Sequence, residues 1–178
     1  MKNFVSNFEV AMDKVRFRVV QYNKVVQSRV IGFSASSSLT NLINELNNLP
    51  QADKTSCDTC SQTHEAYGGS KGFSYQFALG GRSYAPNFIL VFSDGVNGDE
   101  SRTAAKADFK TGRDWASNNG AEIFFVRIGS ADYLPYDGSN LTKGHFVNNF
   151  DNFMTTGSQG WDALNDIIPT ITNKVCSA

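Results

Sequence analysis

Asn87-Phe88-Ile89-Leu90-Val91-Phe92-Ser93-Asp94-Gly95 is the stretch that decides the fold class. Its apolar residues run without a break from Phe88 to Phe92. A strand with one wet face alternates apolar and polar residues, whereas a continuous run signals burial on both faces, as in a parallel sheet covered by helices. Asp94-Gly95 then turns the chain at the strand's C-terminal end. Ala121-Glu122-Ile123-Phe124-Phe125-Val126-Arg127-Ile128-Gly129 repeats the pattern. Between the two runs, Ser101 is placed to cap a helix whose Ala105, Phe109, Gly112 and Ala116 lie on or near one face, and Gly120 suits its C-terminal end. Strand, helix, strand in this order implies a right-handed crossover and an α/β sandwich.

Upstream, Val15 to Asn23 and Val25 to Phe33 are rich in β-branched and aromatic residues and read as two strands joined by a tight antiparallel turn. The serines Ser36, Ser37 and Ser38 supply an N-cap. Leu39, Leu42, Ile43 and Leu46 follow at helical spacing, and the helix should stop by Pro50. Thr63 to Leu79 looks helical but is interrupted by Gly68, Gly69 and Gly72. Phe4, Val5, Phe8, Ala11 and Met12 fit one helical face, although they also nearly fit a period of two. A short strand is expected around His145-Phe146-Val147. Trp161, Leu164, Ile168, Ile171 and Val175 share a C-terminal helical face, with Pro169 expected to kink that helix or start a fresh turn.

With 178 residues, the chain suits one domain, residues 1–178, with a sizeable core. Its 16 Lys and Arg against 17 Asp and Glu leave a net charge of −1, which argues against nucleic acid and against a polybasic membrane anchor. No apolar run is long enough to span a bilayer. The N-terminal residues lack the features of a signal peptide. Cys57-Asp58-Thr59-Cys60 can be a local disulfide, two free thiols, or a metal or redox motif. Cys176 is left over, and the sequon Asn140-Leu141-Thr142 fits secretion without requiring it.

Asp94 is the first candidate for chemistry. A carboxylate at the end of a buried strand suits a hard divalent cation, yet Asp-Gly also forms turns in any protein, and one carboxylate alone holds Mg²⁺ weakly. The run Ile89 to Gly95 followed by Asp99, the hairpin Val15 to Phe33, the Ser-Leu-x-x-Leu-Ile helix, the strand Gly120 to Gly129 and the C-terminal helix ending in Val175-Cys176 together resemble a von Willebrand factor type A domain, the module also inserted in integrins. The resemblance covers essentially the whole chain and rests on order and spacing, since no single motif is strongly specific. It implies a three-layer α/β sandwich with a mostly parallel central sheet and one antiparallel edge strand. It further implies a non-enzymatic protein-binding module with a Mg²⁺ or Mn²⁺ site at the top of the sheet. In that register Asp94 is one metal ligand. Ser61, or Thr63 two positions later, stands where a coordinating threonine is expected, in a stretch that only loosely matches the family loop. Helix capping is the alternative role for both hydroxyls.

One departure matters more than these matches. The family's Asp-x-Ser-x-Ser motif, and the central strand that carries it, are not found. Asp99-Glu100-Ser101-Arg102-Thr103 imitates the motif by letter but follows the wrong strand and reads better as a helix start. The resemblance therefore implies an incomplete cation site. The neighbours of the absent strand, Val15–Asn23 and Asn87–Ser93, then face a gap. They are expected to pair directly, to borrow a strand, or to belong to a truncated record of a longer secreted protein, the last being favoured. The unpaired Cys176 agrees with that. The expected partner is an extracellular protein or matrix ligand. Two other classes stay in view: a metal-free intracellular scaffold of the same fold, and a phosphoryl-transfer enzyme built on Asp94. The second is opposed by the lack of any phosphate-binding glycine loop.

Overall fold

The computed structural model describes residues 1–22, 26–49, 63–93, 102–129 and 142–177. The chain opens with one helical turn, α1 (Lys2–Val5). Phe4, Val5, Phe8 and Val10 are buried, but Met12 is 48% exposed. The expected helical face thus ends early, and the chain bridges Val10 to Val15 in parallel instead. β1 (Val19–Tyr22) and β2 (Val26–Ile31) form the expected antiparallel pair, with Val19 opposite Ile31 and Val20 opposite Val30. The β1 ladder starts later than Val15 for a visible reason. The Phe17 N–H donates to Ser36 Oγ at 2.7 Å, so a side chain satisfies backbone that a strand partner would otherwise take. A 3₁₀ segment, Phe33–Ser37, leads into α2 (Leu39–Asn47). Ser38 Oγ caps α2 by accepting the Asn41 N–H at 3.1 Å. Ser38→Ala is expected to cost about 1 kcal/mol, read as a lower urea midpoint with an unchanged slope.

The interrupted helical stretch resolves into α3 (Thr63–Gly68) and α4 (Phe73–Ala78). β3 (Asn87–Ser93), α5 (Arg102–Asn118) and β4 (Ala121–Arg127) follow as the apolar runs predict. Gly120 turns the chain between α5 and β4 with φ +62°. β3 and β4 are parallel and in register from Asn87 opposite Ala121 to Ser93 opposite Arg127. α6 (Lys143–Phe146), β5 (Phe153–Thr155), a 3₁₀ segment Gly157–Ala163 and α7 (Leu164–Cys176) complete the described chain. β5 pairs parallel to β4, giving the order β3-β4-β5.

Two apolar clusters sandwich this sheet, and β4 shows how. Ile123 and Phe125 point into a cluster with Tyr67, Phe73, Phe109 and Phe146. Phe124 and Val126 point the other way, towards Phe4, Leu42, Ile168 and Ile171. Alternate side chains of one strand thus feed both layers, so an unbroken apolar sequence was needed. The three-layer α/β architecture expected from the sequence is present.

Two local expectations are corrected. His145 and Phe146 lie in the helical turn α6, not in a strand. The Thr142 N–H donates to His145 Nδ1 at 3.0 Å, which closes the turn. The short strand lies further on, at β5, where the Phe153 ring stacks on Phe125 at 5.4 Å. Just before it, buried Asn152 donates to Glu122 Oε1 at 2.7 Å and accepts from Lys174 Nζ at 2.8 Å. Trp161 is the second correction. It sits in the 3₁₀ segment and is 66% exposed, because α7 starts only at Leu164. Pro169 lies within α7.

The α6 turn carries a pH dependence. Burial of the His145 ring, with the charges of Lys106 and Arg113, holds its pKa below the ordinary 6.5. A lowered folded pKa favours the neutral ring in the native state. The capping contribution is therefore present above the unfolded value and is lost as pH falls through the lowered one. The Thr142 amide is expected to exchange faster at pH 5 than at pH 7.5 after correction for intrinsic rates. His145→Gln, which keeps an acceptor at that position, should remove the difference.

Among the described residues, the hairpin β1-β2 and the sheet β3-β4-β5 share no ladder. Of the alternatives for the gap, direct pairing of β1 with β3 is thus not what the structure adopts. The Tyr22 hydroxyl spans the interval and donates to the Phe92 carbonyl at 3.0 Å. A cleft of about 1190 Å³ lies between the two strands.

Candidate metal centre

Thr63 is the first residue of α3 and is fully buried. Its Oγ1 lies 3.0 Å from Ser93 Oγ. Ser93 is the last residue of β3 and immediately precedes Asp94. The structure thus sets the Thr63 hydroxyl against the strand end from which Asp94 follows. Asp94 and Ser61 themselves lie outside the described residues, as do Cys57 and Cys60. Cys176 is an exposed free thiol.

Ser93 is a hydroxyl that sequence reading did not single out, although it adjoins Asp94. The two hydroxyls are neutral oxygen donors of the kind a hard cation accepts, but the charge such an ion needs must come from carboxylates. Among the described residues the donor set therefore meets the demands of the implied cation only in part, with the neutral hydroxyls of Thr63 and Ser93. Thr63→Val removes one side of this buried pair and is expected to cost about 1–2 kcal/mol in chemical denaturation.

A second group stands beside Thr63 in sequence. His64, Glu65 and Asp108 bring one ligand atom each within 4.8 Å of one another. His64 is fully buried, with Nε2 3.8 Å from Asp108 Oδ2 and its ring edge-on to Phe109. An imidazole with two carboxylates is a donor set for a borderline transition metal more than for Mg²⁺. No sequence pattern marks this group, because it depends on how closely α3 and α5 approach. A Cβ on Gly68 would fall 2.5 Å from the Asp108 carbonyl oxygen, and one on Gly112 would fall 2.6 Å from Tyr67 Cβ. Helices that meet at glycines bring Asp108 to His64. Tyr67 completes the contact by donating from its hydroxyl to the Phe146 carbonyl at 2.7 Å. Its complete burial pushes the phenol pKa well above the ordinary range.

A family model for the von Willebrand factor type A domain matches residues 1–159. The chain belongs to that family. Such domains are typically protein-binding adhesion modules that carry a divalent metal at their adhesion site, and they are generally not enzymes. No curated protein matches this type A domain. Among solved structures, it is similar to proximal thread matrix protein 1 from the mussel byssus, with a zinc-occupied metal-ion-dependent adhesion site. The TM-score is 0.70 at 13% identity, covering 99% of this chain and 42% of that one. The type A domain thus spans less than half the length of that protein, and the likeness is one of fold. Among its described residues, no helix is long and apolar enough to cross a membrane.

Proposed function

We propose that this type A domain is a non-enzymatic protein-binding module of an extracellular or matrix-type protein. It engages an extracellular protein or matrix ligand at the rim formed by the C-terminal end of β3 and the start of α3. Asp94, Thr63 and Ser61 are the proposed oxygen donors of an incomplete Mg²⁺ or Mn²⁺ site, and a carboxylate of the ligand would complete the shell. The observation that carries this reading is the buried Thr63 hydroxyl set 3.0 Å from Ser93, the residue before Asp94. The matrix setting is supported by the byssus protein of similar fold.

Because the donor set is partial, cation binding should be weak. Calorimetric titration with MgCl₂ or MnCl₂ is expected to give a dissociation constant of about 1 mM or higher, weakened further in Asp94→Ala. Micromolar binding in the wild type, or binding indifferent to Asp94→Ala, overturns the assignment. The compartment is tested separately by thiol labelling of native material. A Cys57–Cys60 disulfide supports secretion, and two free thiols support an intracellular scaffold.

A further inference from the structure

The group of His64, Glu65 and Asp108 is built differently from the rim. Thr63 and His64 are consecutive in α3, so their side chains leave the helix about 100° apart. The Thr63 hydroxyl goes to Ser93 at the end of β3, and the His64 ring faces Asp108 on α5. The two sets of donors adjoin along the backbone but have no ligand in common.

The spacing within the group is that of metal ligands more than of a bare ion pair. A nitrogen donating to a carboxylate in a charge-assisted hydrogen bond sits about 2.7–2.9 Å from the oxygen. His64 Nε2 and Asp108 Oδ2 are 3.8 Å apart, too far for that bond. Zinc bonds of about 2.0–2.2 Å at the tetrahedral angle hold two ligand atoms about 3.4 Å apart. All three ligand atoms here lie within 4.8 Å of one another, so a small closure around a common centre brings them to that separation. Two consecutive glycines make room for the carboxylates. The Asp108 backbone packs on Gly68, and a Cβ on Gly69 would collide with Glu65 Oε2. The imidazole is held in place by complete burial and by the Phe109 ring. The Asp108 side chain is 30% exposed, so an ion can enter from its side.

The donor types choose the ion. Two carboxylates neutralise a divalent charge, and an imidazole nitrogen suits zinc-like ions, whereas Mg²⁺ prefers oxygen throughout. We infer that His64, Glu65 and Asp108 form a second metal site, which takes Zn²⁺ or a similar borderline divalent ion and ties α3 to α5, with water at the fourth position. This inference is independent of whether Mg²⁺ or Mn²⁺ binds at the rim.

The test is a ZnCl₂ titration of the whole chain, treated beforehand with iodoacetamide so that no free thiol competes for zinc. The ring resonances of His64 and His145 are followed by NMR and assigned with His145→Gln. Zinc is expected to bind in the micromolar range or tighter, one ion per chain at this site, shifting His64 and leaving His145 in place. Millimolar MgCl₂ should leave His64 unmoved. Asp108→Asn and Glu65→Gln are each expected to weaken zinc binding by about tenfold or more, at least what loss of an outer-shell partner costs. Two separate variants keep the test decisive if one of them fails to fold. Asp94→Ala should leave the zinc affinity unchanged. Three results overturn the inference. One is a His64 ring that does not respond to zinc. Another is zinc affinity equal to that of the wild type in the folded variants of Asp108 and Glu65. The third is zinc binding lost in Asp94→Ala, which places the ion at the rim.

Discussion

Phe109→Ala is expected to lower the unfolding free energy by about 3–5 kcal/mol. Phe109 is fully buried in α5 and lies edge-on to Tyr67 at 4.9 Å and to Phe146 at 5.0 Å. Truncation removes the ring's transfer free energy and leaves a hole walled by aromatic rings, which collapse poorly because each is held elsewhere. Tyr67 is pinned by its hydroxyl, and Phe146 lies against Phe125 at 4.5 Å. Phe109→Leu, which refills most of the space, should recover more than half of the loss. Urea denaturation of the three proteins checks this. A loss below about 1.5 kcal/mol for the alanine variant would mean that the cluster repacks freely and that the layer is not ordered as described.

Gly112→Ala is expected to be comparably damaging despite adding a single methyl group. The new carbon would sit 2.6 Å from Tyr67 Cβ and 2.8 Å from the Tyr67 Cα. These are core atoms close to the backbone, not the tip of a mobile side chain, so α3 and α5 would have to separate. Overpacking of this kind costs about 1–3 kcal/mol, and the backbone contact puts the expectation at about 3. Gly120→Ala is an informative contrast. Nothing lies within 4 Å of its added carbon, so any loss there reflects the positive φ of +62° alone and should be about 1 kcal/mol. If the two glycine variants lose equally little, the helices have room that the structure denies them. Moving α3 should also displace His64 from Asp108, so Gly112→Ala is expected to alter the His64 imidazole resonances where Gly120→Ala does not.

Much of this fold could be read from the chain because its signals are redundant. β3 and β4 each feed two layers, and their apolar runs have no other simple explanation. α2 announces itself through a capping serine and a helical stripe. What could not be read depended on distant partners. β5 is three residues long, and its position is fixed by Phe153 stacking on Phe125 and by Asn152 linking Glu122 to Lys174. Nothing local distinguishes it from the neighbouring polar loop. The expected strand at His145 failed because a histidine nitrogen closes a helical turn there, a side-chain device invisible to periodicity. At the rim, the pairing of Thr63 with Ser93 was not legible, since it depends on how α3 packs against the end of β3. Nor was the grouping of His64, Glu65 and Asp108, since it depends on the close approach of α3 and α5, where Gly68 meets Asp108 and Gly112 meets Tyr67.

The hydroxyl tie from Tyr22 to Phe92 has a consequence for how the domain comes apart. The hairpin is held to the rest by side-chain contacts, the Tyr22 strut among them, whereas β3 and β4 are stitched along seven rungs. Gentle denaturation should therefore free the hairpin as a separate block before the parallel sheet yields, giving two melting events in place of one. Tyr22→Phe, by cutting the strut, should bring the first event forward and leave the second where it was.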